Sequence, residues 1–388
     1  MQESFISNYM QIAIELAQKG KGYVNPNPLV GAVIVKDGKI IGKGFHERFG
    51  QAHAERNAIL NAIKTSGDEN ICREASLFVT LEPCCHQGKQ PPCTQIIIES
   101  GITEVYIGSA DPNPLVNGQG VKLLREHNIK VYENLLRKEC DRINPYFFHY
   151  IKSKRPFVIL KYAMSLNGTS IIKKGNKKIS GEASMQEVHK TRSEVMGIMV
   201  SSKTVNTDDC LLTNRLAENT HQPVRIILDK GLKIKMKSRI LKTKPAEGDF
   251  SYISKTAVSK QAAPVIIFYH KNRQIKLKRL TTIPGLELIR TPLCKNHLDL
   301  EFILGELGKR GFDSILVESS GTLAEALISK NLVNKLQVYV GANFISENFR
   351  TQIKAKPQIK LFDNDTLIEF STNPAITGKD GGLLCSQE

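Results

Sequence analysis

Four residues in the first quarter of the chain have the types and the order of a catalytic zinc site. They are His53, Glu55, Cys84 and Cys93, in the segments HAE, PCC and PPC. Zinc favours tetrahedral coordination by nitrogen and sulfur, and a catalytic site keeps three protein ligands and leaves the fourth position to water. One imidazole and two thiolates meet that need, and a nearby carboxylate can carry protons from the water to a leaving amine. The pattern therefore predicts hydrolytic deamination.

The spacing of these residues restricts where the metal can lie. Residues two apart on a helix do not share a face, so His53 and Glu55 serve one metal only if it lies off the N-terminus of the following helix. The helix dipole there favours thiolates and a carboxylate. Cys93 comes nine residues after Cys84, a longer interval than the C-x-x-C of nucleic-acid deaminases. Cys85 does not easily replace Cys93 as a ligand, because the side chains of the adjacent Cys84 and Cys85 diverge. The alternative is that His53 caps the helix and the cysteines are core thiols.

Alternating helices and strands are predicted to position these residues. Helical spacing in the first 20 residues, a hairpin at Asp37-Gly38 and a helix from His53 precede the strands SLFVTLE, TEVYIGS and IKVYEN. Residues 140–156, with Asn144-Pro145 and a basic run, are predicted to be a connector. A second series follows, with apolar strands such as FVILKYA, VRIILD and SILVES that suit a sheet covered on both faces. The prediction is an α/β protein with two domains, residues 1–146 and 147–388.

The composition narrows the class of protein without deciding the substrate. The 388 residues include 54 Lys and Arg against 38 Asp and Glu, and the net charge of +16 either favours anionic ligands or reflects a general basic bias. The Lys-rich stretch 230–245 has no interleaved aromatic residues, so it is predicted to be solvated surface rather than a nucleic-acid site. The sequence shows neither a long apolar run nor a signal peptide, and its eight cysteines are interpreted as reduced. A cytoplasmic location is predicted.

One short motif in the second half is able to bind phosphate. The strand SILVES leads into Ser319-Ser320-Gly321-Thr322, which opens the helix LAEALIS. A loop of small residues at a helix N-terminus presents backbone N–H groups to a phosphate. An ordinary N-cap explains the same residues. The residues alone leave both interpretations open.

Longer motifs make the chain similar to the bifunctional riboflavin-biosynthesis family, in which a pyrimidine deaminase is fused to a pyrimidine reductase. The first half resembles the deaminase in PNPLVGAVIV, GFHERFGQAHAE, TLEPCCHQGKQPPC and DPNPLVNGQG. The resemblance implies a cytidine-deaminase-like three-layer domain with one zinc on His53, Cys84 and Cys93, and with Glu55 as proton donor and acceptor. The long interval between the two cysteines is usual in that family.

The second half resembles the family's reductase, which implies a dihydrofolate-reductase-like domain that uses NADPH. The matching motifs, in order, are LKYAMSLNG, VSSKTVNTDDCLLTNR, QPVRIILD and VESSGTLAEALI. The residues implied to contact NADPH are Ala163, Lys178, Thr204, Asp208, Lys230, Ser320, Gly321, Thr322 and Leu323. The residues implied to contact the substrate are Asn176, Arg192, Leu212, Arg215 and Glu318. Guanidinium groups suit a ribose phosphate through bidentate hydrogen bonds, and the less favoured alternative for Arg192 is an ordinary surface arginine on a helix.

The chain departs from the family pattern at several positions. Cys85 stands beside the predicted metal where Ser is common. In the reductase half, the departures are Asn167 for Asp, Lys178 for Trp, Cys210 for Pro, and Ser319-Ser320 for Gly or Ala-type residues. None of them removes a predicted phosphate-binding arginine, so reduced but measurable reductase activity is expected. In the first half, Asn27 and His86 are expected either to line the pyrimidine pocket or to serve the fold.

The leading hypothesis is an enzyme that deaminates 2,5-diamino-6-(5-phosphoribosylamino)pyrimidin-4-one and then reduces the ribosyl group to ribityl phosphate with NADPH. The expected partner is this phosphorylated pyrimidine, with neither nucleic acid nor membrane, and a homo-oligomer is allowed. One alternative is an RNA-editing deaminase with a basic appendage, and another is a zinc-stabilised regulatory domain on a reductase. A structural zinc would take a fourth protein ligand and need no carboxylate, so Glu55 favours catalysis.

Overall fold

The computed structural model describes residues 2–87, 90–114, 116–165, 168, 170, 179–216, 221–243, 264–341, 358–362 and 365–371. The chain divides into two compact units, Met1–Lys154 and Arg155–Glu388. The whole of a helix at Pro145–Ser153 therefore belongs to the first unit, whereas the boundary drawn from the sequence after residue 146 passes through this helix.

The first unit contains five strands and six helices within its described residues. The strands are β1 (Gly31–Lys36), β2 (Lys39–Phe45), β3 (Ser76–Leu81), β4 (Glu104–Ser109) and β5 (Lys130–Tyr132). The helices are α1 (Gln2–Gln18), α2 (Ala54–Ser66), α3 (Cys93–Glu99), α4 (Gln119–Glu126), α5 (Arg137–Ile143) and α6 (Pro145–Ser153). The sheet order is β2-β1-β3-β4-β5, with β1 antiparallel to both neighbours and β3, β4 and β5 parallel. The predicted α/β fold is confirmed.

The hairpin and the helix that follows it carry the HAE segment. Asp37 and Gly38 have φ angles of 50° and 71°, as a tight hairpin requires, so the predicted Asp-Gly turn between β1 and β2 is confirmed. On β2, a Cβ atom at Gly42 would lie 2.4 Å from the carbonyl oxygen of Ala58, and one at Gly44 would lie 2.3 Å from the Ala58 nitrogen. These two glycines therefore allow α2 to pack directly on β2, which fixes the position of its first turn.

The segment predicted to be a connector, residues 140–156, is mostly helical, so that prediction is wrong. α5 and α6 meet at Asn144, and Pro145 takes the first position of α6. A proline is tolerated there because its missing N–H would have no helical partner and its φ angle suits a helix. The buried Asn144 amide accepts from Leu29 N at 2.7 Å and donates to Leu29 O at 2.8 Å. The Asn-Pro pair is thus a helix junction tied to the chain before β1.

The second unit is built, within the part of it that the structure describes, on a nine-stranded sheet. The strands of this unit are β6 (Phe157–Ser165), β7 (Gly197–Ser201), β8 (Val224–Leu228), β9 (Val265–Tyr269), β10 (Leu286–Arg290), β11 (Leu293–Cys294), β12 (His297–Leu298), β13 (Ser314–Glu318), β14 (Lys335–Gly341), β15 (Gln358–Phe362) and β16 (Asp365–Ser371). The helices are α7 (Glu182–Glu194), α8 (Ser202–Asp208), α9 (Arg239–Lys242), α10 (Gln274–Thr281), α11 (Leu300–Lys309) and α12 (Thr322–Ser329). The order is β10-β9-β8-β7-β13-β6-β14-β16-β15, parallel from β10 to β14 and antiparallel beyond; β11 and β12 pair separately.

The parallel strands of the second unit end at one edge of its sheet. β7 ends at Ser201, β8 at Leu228 and β13 at Glu318. The strands β7, β8 and β13 are almost entirely buried, as predicted from their continuous apolar runs. Because ligands of open α/β sheets bind outside the carboxyl ends of the strands, this edge is where a substrate or cofactor is expected.

The Lys-rich stretch 230–245 is part surface and part core as far as residue 243. Lys233 and Lys235 are exposed, as predicted. Leu232 and Ile234 alternate with these lysines and are fully buried, because their side chains point into the unit. The lysines therefore form the solvated side of an amphipathic segment.

Candidate active sites

His53 lies at the start of α2 with its ring turned toward two cysteines. Its backbone is extended, with φ −76° and ψ 166°, and its side chain makes no capping hydrogen bond. Its Nδ1 atom lies 3.5 Å from the Sγ atom of Cys84 and 3.3 Å from that of Cys93. The alternative in which the His53 side chain caps the helix is therefore wrong, and the three side chains meet off the N-terminus of α2.

The three candidate ligand atoms have the separations of a tetrahedral zinc site. All of them lie within 4.8 Å of one another. With Zn–N near about 2.0 Å and Zn–S near about 2.3 Å, tetrahedral angles place nitrogen and sulfur about 3.5 Å apart. The observed 3.3 and 3.5 Å agree with this value. Among the described residues the cluster contains only His53, Cys84 and Cys93, which leaves the fourth position open as in a catalytic site.

The two cysteines come from a loop and from a helix N-terminus, and hydrogen bonds join these two segments. Cys84 lies after β3, and Cys93 is the first residue of α3. The Cys93 N–H donates to Cys84 Sγ at 3.4 Å, and the Thr94 N–H donates to Cys84 O at 3.2 Å. The hydrogen bond with the Cys93 thiol lowers the pKa of Cys84 to about 4, and the same interaction raises the pKa of Cys93. A metal ion would displace the remaining thiol proton, because metals bind thiolates.

Glu55 lies in the first turn of α2, beside this cluster. Its side chain is buried and makes a hydrogen bond with Cys93. Burial raises the pKa of Glu55, although the neighbouring His53 charge acts in the opposite direction. A carboxyl group whose pKa is shifted toward neutrality is suited to taking up and releasing protons.

His53, Glu55 and Cys84 line a cavity of about 300 Å³. Asn27 and His86 both line it, which is the first of the two roles expected of them. The sequence interpretation missed further lining residues, namely His46, Phe49, Gln51, Glu82, Gln90, Asp111, Asn113 and Val116. All of them lie within the four motifs of the first half, which is the only signal that pointed to them, whereas Phe147 also lines the cavity and lies outside those motifs.

Burial shifts the pKa of two polar residues in the cavity wall. It lowers the pKa of His46 to about 4, so the ring is neutral at neutral pH. Its Nδ1 lies 3.1 Å from Ala52 O and its Nε2 lies 3.2 Å from the Asn27 amide nitrogen, which fits a proton on Nδ1. Burial raises the pKa of Asp111 to about 6. The wall therefore offers a neutral imidazole and a carboxyl group that titrates near neutrality.

In the second unit, Arg192 and Glu318 form a buried bidentate pair. The Arg192 Nε atom lies 2.8 Å from Glu318 Oε1, its Nη2 lies 3.0 Å from Oε2, and its Nη1 donates to Thr213 O at 3.0 Å. Only 6% of Arg192 is exposed, so its interpretation as a surface arginine is wrong. Burial alone would raise the pKa of Glu318, but the charges of Arg192 and Lys161 outweigh it and lower the pKa to about 2.

The other described residues predicted to contact substrate lie on the loop that Arg192 holds. Leu212 is buried next to Thr213. Arg215 is exposed, and its backbone N–H donates to His189 Nδ1 at 3.3 Å. Burial and the charge of Arg192 lower the pKa of Arg215, and the charge of Glu318 acts in the opposite direction. The structure thus brings together four of the five predicted residues, while Asn176 lies outside the described residues.

Several predicted cofactor residues follow the carboxyl ends of the parallel strands. Thr204 and Asp208 belong to α8, after β7, and Ala163 lies near the end of β6. Lys230 follows β8, and its ammonium group donates to the backbone oxygen and, at 2.7 Å, to the side-chain oxygen of Asn296. Lys178 and the departure at Asn167 lie outside the described residues.

The loop between β13 and α12 carries the remaining predicted cofactor residues, Ser320, Gly321, Thr322 and Leu323. Gly321 is the N-cap residue of α12, and no side chain caps the helix there. The ordinary N-cap interpretation of this loop is therefore not supported. The first-turn N–H groups of α12 lack a side-chain acceptor, which is the arrangement that suits a phosphate.

Sequence comparisons divide the chain in the same way as its structure. Residues 3–109 match the cytidine and deoxycytidylate deaminase zinc-binding region, and residues 156–361 match the RibD C-terminal domain. The riboflavin biosynthesis protein RibD of Actinobacillus pleuropneumoniae is 38% identical over 87% of this chain and 84% of its own length. The protein of the same name from Escherichia coli strain K12 is 33% identical over 88% of this chain and 89% of its own length.

Solved structures cover nearly the entire chain. The diaminohydroxyphosphoribosylaminopyrimidine deaminase/5-amino-6-(5-phosphoribosylamino)uracil reductase of Thermotoga maritima is 34% identical, with a TM-score of 0.79 over 96% of this chain and 99% of its own. Acinetobacter baumannii RibD is 28% identical, with a TM-score of 0.81 over 95% of this chain and 99% of its own. The folds predicted for the two halves, cytidine-deaminase-like and reductase-like, agree with these matches.

Proposed function

The chain belongs to the family of riboflavin biosynthesis protein RibD, and from that premise we propose that it acts twice on one phosphorylated pyrimidine. It is a bifunctional enzyme of riboflavin biosynthesis with a zinc-binding deaminase domain and a reductase domain. The first unit deaminates 2,5-diamino-6-(5-phosphoribosylamino)pyrimidin-4-one, and the second reduces the ribosyl group of the product with NADPH. The observation that carries this proposal is the cluster of His53, Cys84 and Cys93 beside Glu55 in one cavity.

In the first step, the residues of the chain hold the substrate and move protons. His53 and the two cysteines provide a nitrogen and two sulfur atoms that would hold one zinc ion, which lowers the pKa of a bound water. Glu55 takes a proton from the attacking water and delivers one to the leaving amine, and its raised pKa suits both transfers. The cavity of about 300 Å³ has room for a pyrimidine ring.

In the second step, the chain orients two bound molecules. NADPH supplies a hydride, and the open N-terminus of α12 with Lys230 would hold its phosphate groups. Arg192 holds Glu318 toward the loop of Leu212 and Arg215. The exposed Arg215 guanidinium would bind the phosphate of the substrate through charge-assisted hydrogen bonds.

The predicted partners follow from this chemistry. The basic charge favours a small phosphorylated pyrimidine as much as any other anionic ligand, so it gives no reason to invoke nucleic acid. No helix among the described residues has the length and apolar character needed to cross a bilayer. The cytoplasmic location and the allowance for a homo-oligomer stay predictions.

Product identification tests the proposed function. The full chain is incubated with the diamino pyrimidine, with and without NADPH, and the products are separated and identified by mass spectrometry. We expect the deaminated ribosylamino compound alone in the absence of NADPH and the ribityl compound in its presence. Reduction without prior deamination, or no reaction with zinc and NADPH supplied, would contradict the proposal.

A further inference from the structure

Glu82 uses both of its carboxylate oxygens to bind backbone N–H groups that are distant in sequence. Its Oε2 accepts from Gly118 N at 3.0 Å and Asp111 N at 3.4 Å. Its Oε1 accepts from Gly120 N at 3.1 Å and Val121 N at 3.3 Å. The side chain is buried, with 4% of the residue exposed. A buried carboxylate that accepts several N–H groups is a strong anchor, because such charge-assisted bonds are stronger than those between neutral groups.

This carboxylate replaces the missing cap of α4. The N-cap residue of α4 is Gly118, which has no side chain to accept from the first-turn N–H groups. Glu82 accepts from the N–H groups of Gly118, Gly120 and Val121 instead. The backbone of α4 also lies close to that of the loop after β3, because a Cβ at Gly120 would lie 2.2 Å from the carbonyl oxygen of Pro83. The start of α4 therefore rests against the chain that leads to Cys84.

The segment held by Glu82 is one wall of the deaminase cavity. Asp111 is bound at one end of this segment and Gly118 at the other. Between these ends, Asn113 and Val116 line the cavity that also contains Glu55. One carboxylate thus sets the distance between the cavity wall and the metal-binding loop.

We infer that Glu82 is a positioning residue of the deaminase, which holds the substrate-binding wall against the metal-binding loop. This inference rests on the proposed deaminase function. Glu82 itself borders the cavity, but both of its oxygens already accept from backbone N–H groups, so it acts on the substrate through Asp111, Asn113 and Val116. The metal ligands and Glu55 come from α2, α3 and the loop after β3, so loosening the wall weakens substrate binding more than it slows the proton transfers.

The test is Glu82→Gln in the full chain, with Glu126→Gln as the matched control. Gln keeps the size of the side chain but replaces one acceptor oxygen by an NH₂ group, which faces N–H donors and cannot bind them. Glu126 is on the same helix, and its pair with Lys122 is exposed. We expect Glu82→Gln to raise the KM of deamination about tenfold, or about 1.4 kcal/mol, with kcat changed less than about threefold. Its zinc content and the reductase rate on deaminated pyrimidine should equal those of the control.

Gly120→Ala provides a second variant, because its methyl group would lie 2.2 Å from Pro83 O and 3.3 Å from Glu82 Oε1, so it pushes α4 away from both while the Glu82 carboxylate itself is kept. The same rise in KM with zinc retained is expected. A wild-type KM in both variants, or a loss of zinc together with kcat, would overturn this inference while the wild-type chain still deaminates. A wild-type chain that does not deaminate would overturn the proposed function, and this inference with it.

Discussion

Replacing Arg192 with Met should destabilise the second unit by about 3 kcal/mol. Arg192 makes two hydrogen bonds to Glu318 and is almost fully buried, so its removal leaves a carboxylate in a low-dielectric site without its bidentate partner. Although burial acts in the opposite direction, Arg192 and Lys161 together lower the pKa of Glu318 from an ordinary 4.5 to about 2, which is a net stabilisation of the charged form on the order of 3 kcal/mol, of which Arg192 supplies the largest part. Breaking a buried ion pair typically costs about 3–5 kcal/mol, which agrees.

Arg155→Met is the matched control for this variant. Arg155 belongs to the same unit and contacts Glu301 at 3.4 Å, but both side chains are about half exposed, so the expected cost is below about 1 kcal/mol. Calorimetry of the full chain measures both variants on the same thermal transition. At about 2–4 °C per kcal/mol for a unit of this size, Arg192→Met should lower its Tm by roughly 6–12 °C. A shift no larger than that of Arg155→Met would refute the reasoning.

Three further predictions concern the two sites. Cys93→Ala should lose the zinc that Cys85→Ala retains, because Cys93 belongs to the cluster with His53 and Cys84, whereas Cys85 does not; elemental analysis showing the reverse would refute the ligand set. Arg215→Ala should raise the KM for the pyrimidine at least about tenfold and that for NADPH little, since its exposed guanidinium is the predicted phosphate ligand; equal changes in steady-state kinetics would contradict it. Because the folded pKa of Glu318 is depressed, its contribution to stability is full above pH 4.5 and is lost as the pH falls toward about 2. The stability difference between wild type and Glu318→Gln should therefore shrink over that window in acid unfolding, and a difference independent of pH would contradict the assignment.

The zinc site and the fold class were predictable from the sequence because their signals are local. The order of His53, Glu55, Cys84 and Cys93 specifies a chemistry, and Asp37-Gly38 specifies a hairpin through the φ angles that it tolerates. Alternating apolar segments likewise predicted most strands of both sheets within one or two residues.

Long-range polar contacts were not predictable in the same way. Glu82 caps a helix that begins more than 30 residues later, and Arg192 pairs with Glu318 across 126 residues. No periodicity records such contacts, because they depend on how the sheet brings distant loops together. The Asn144-Pro145 pair was wrongly interpreted as part of a connector, because a proline breaks a helix in its interior but is favoured at the first position of one.

The most direct test of the central claim is the deamination rate of Glu55→Gln in the full chain. The structure places Glu55 beside the metal ligands, buried and with a raised pKa, so its loss should remove proton transfer and little else. We expect the rate of deamination to fall by about 10²–10⁴-fold, while zinc content and the rate of reduction of the deaminated pyrimidine stay at wild-type levels. Deamination at a near wild-type rate by a zinc-loaded Glu55→Gln chain would contradict the account.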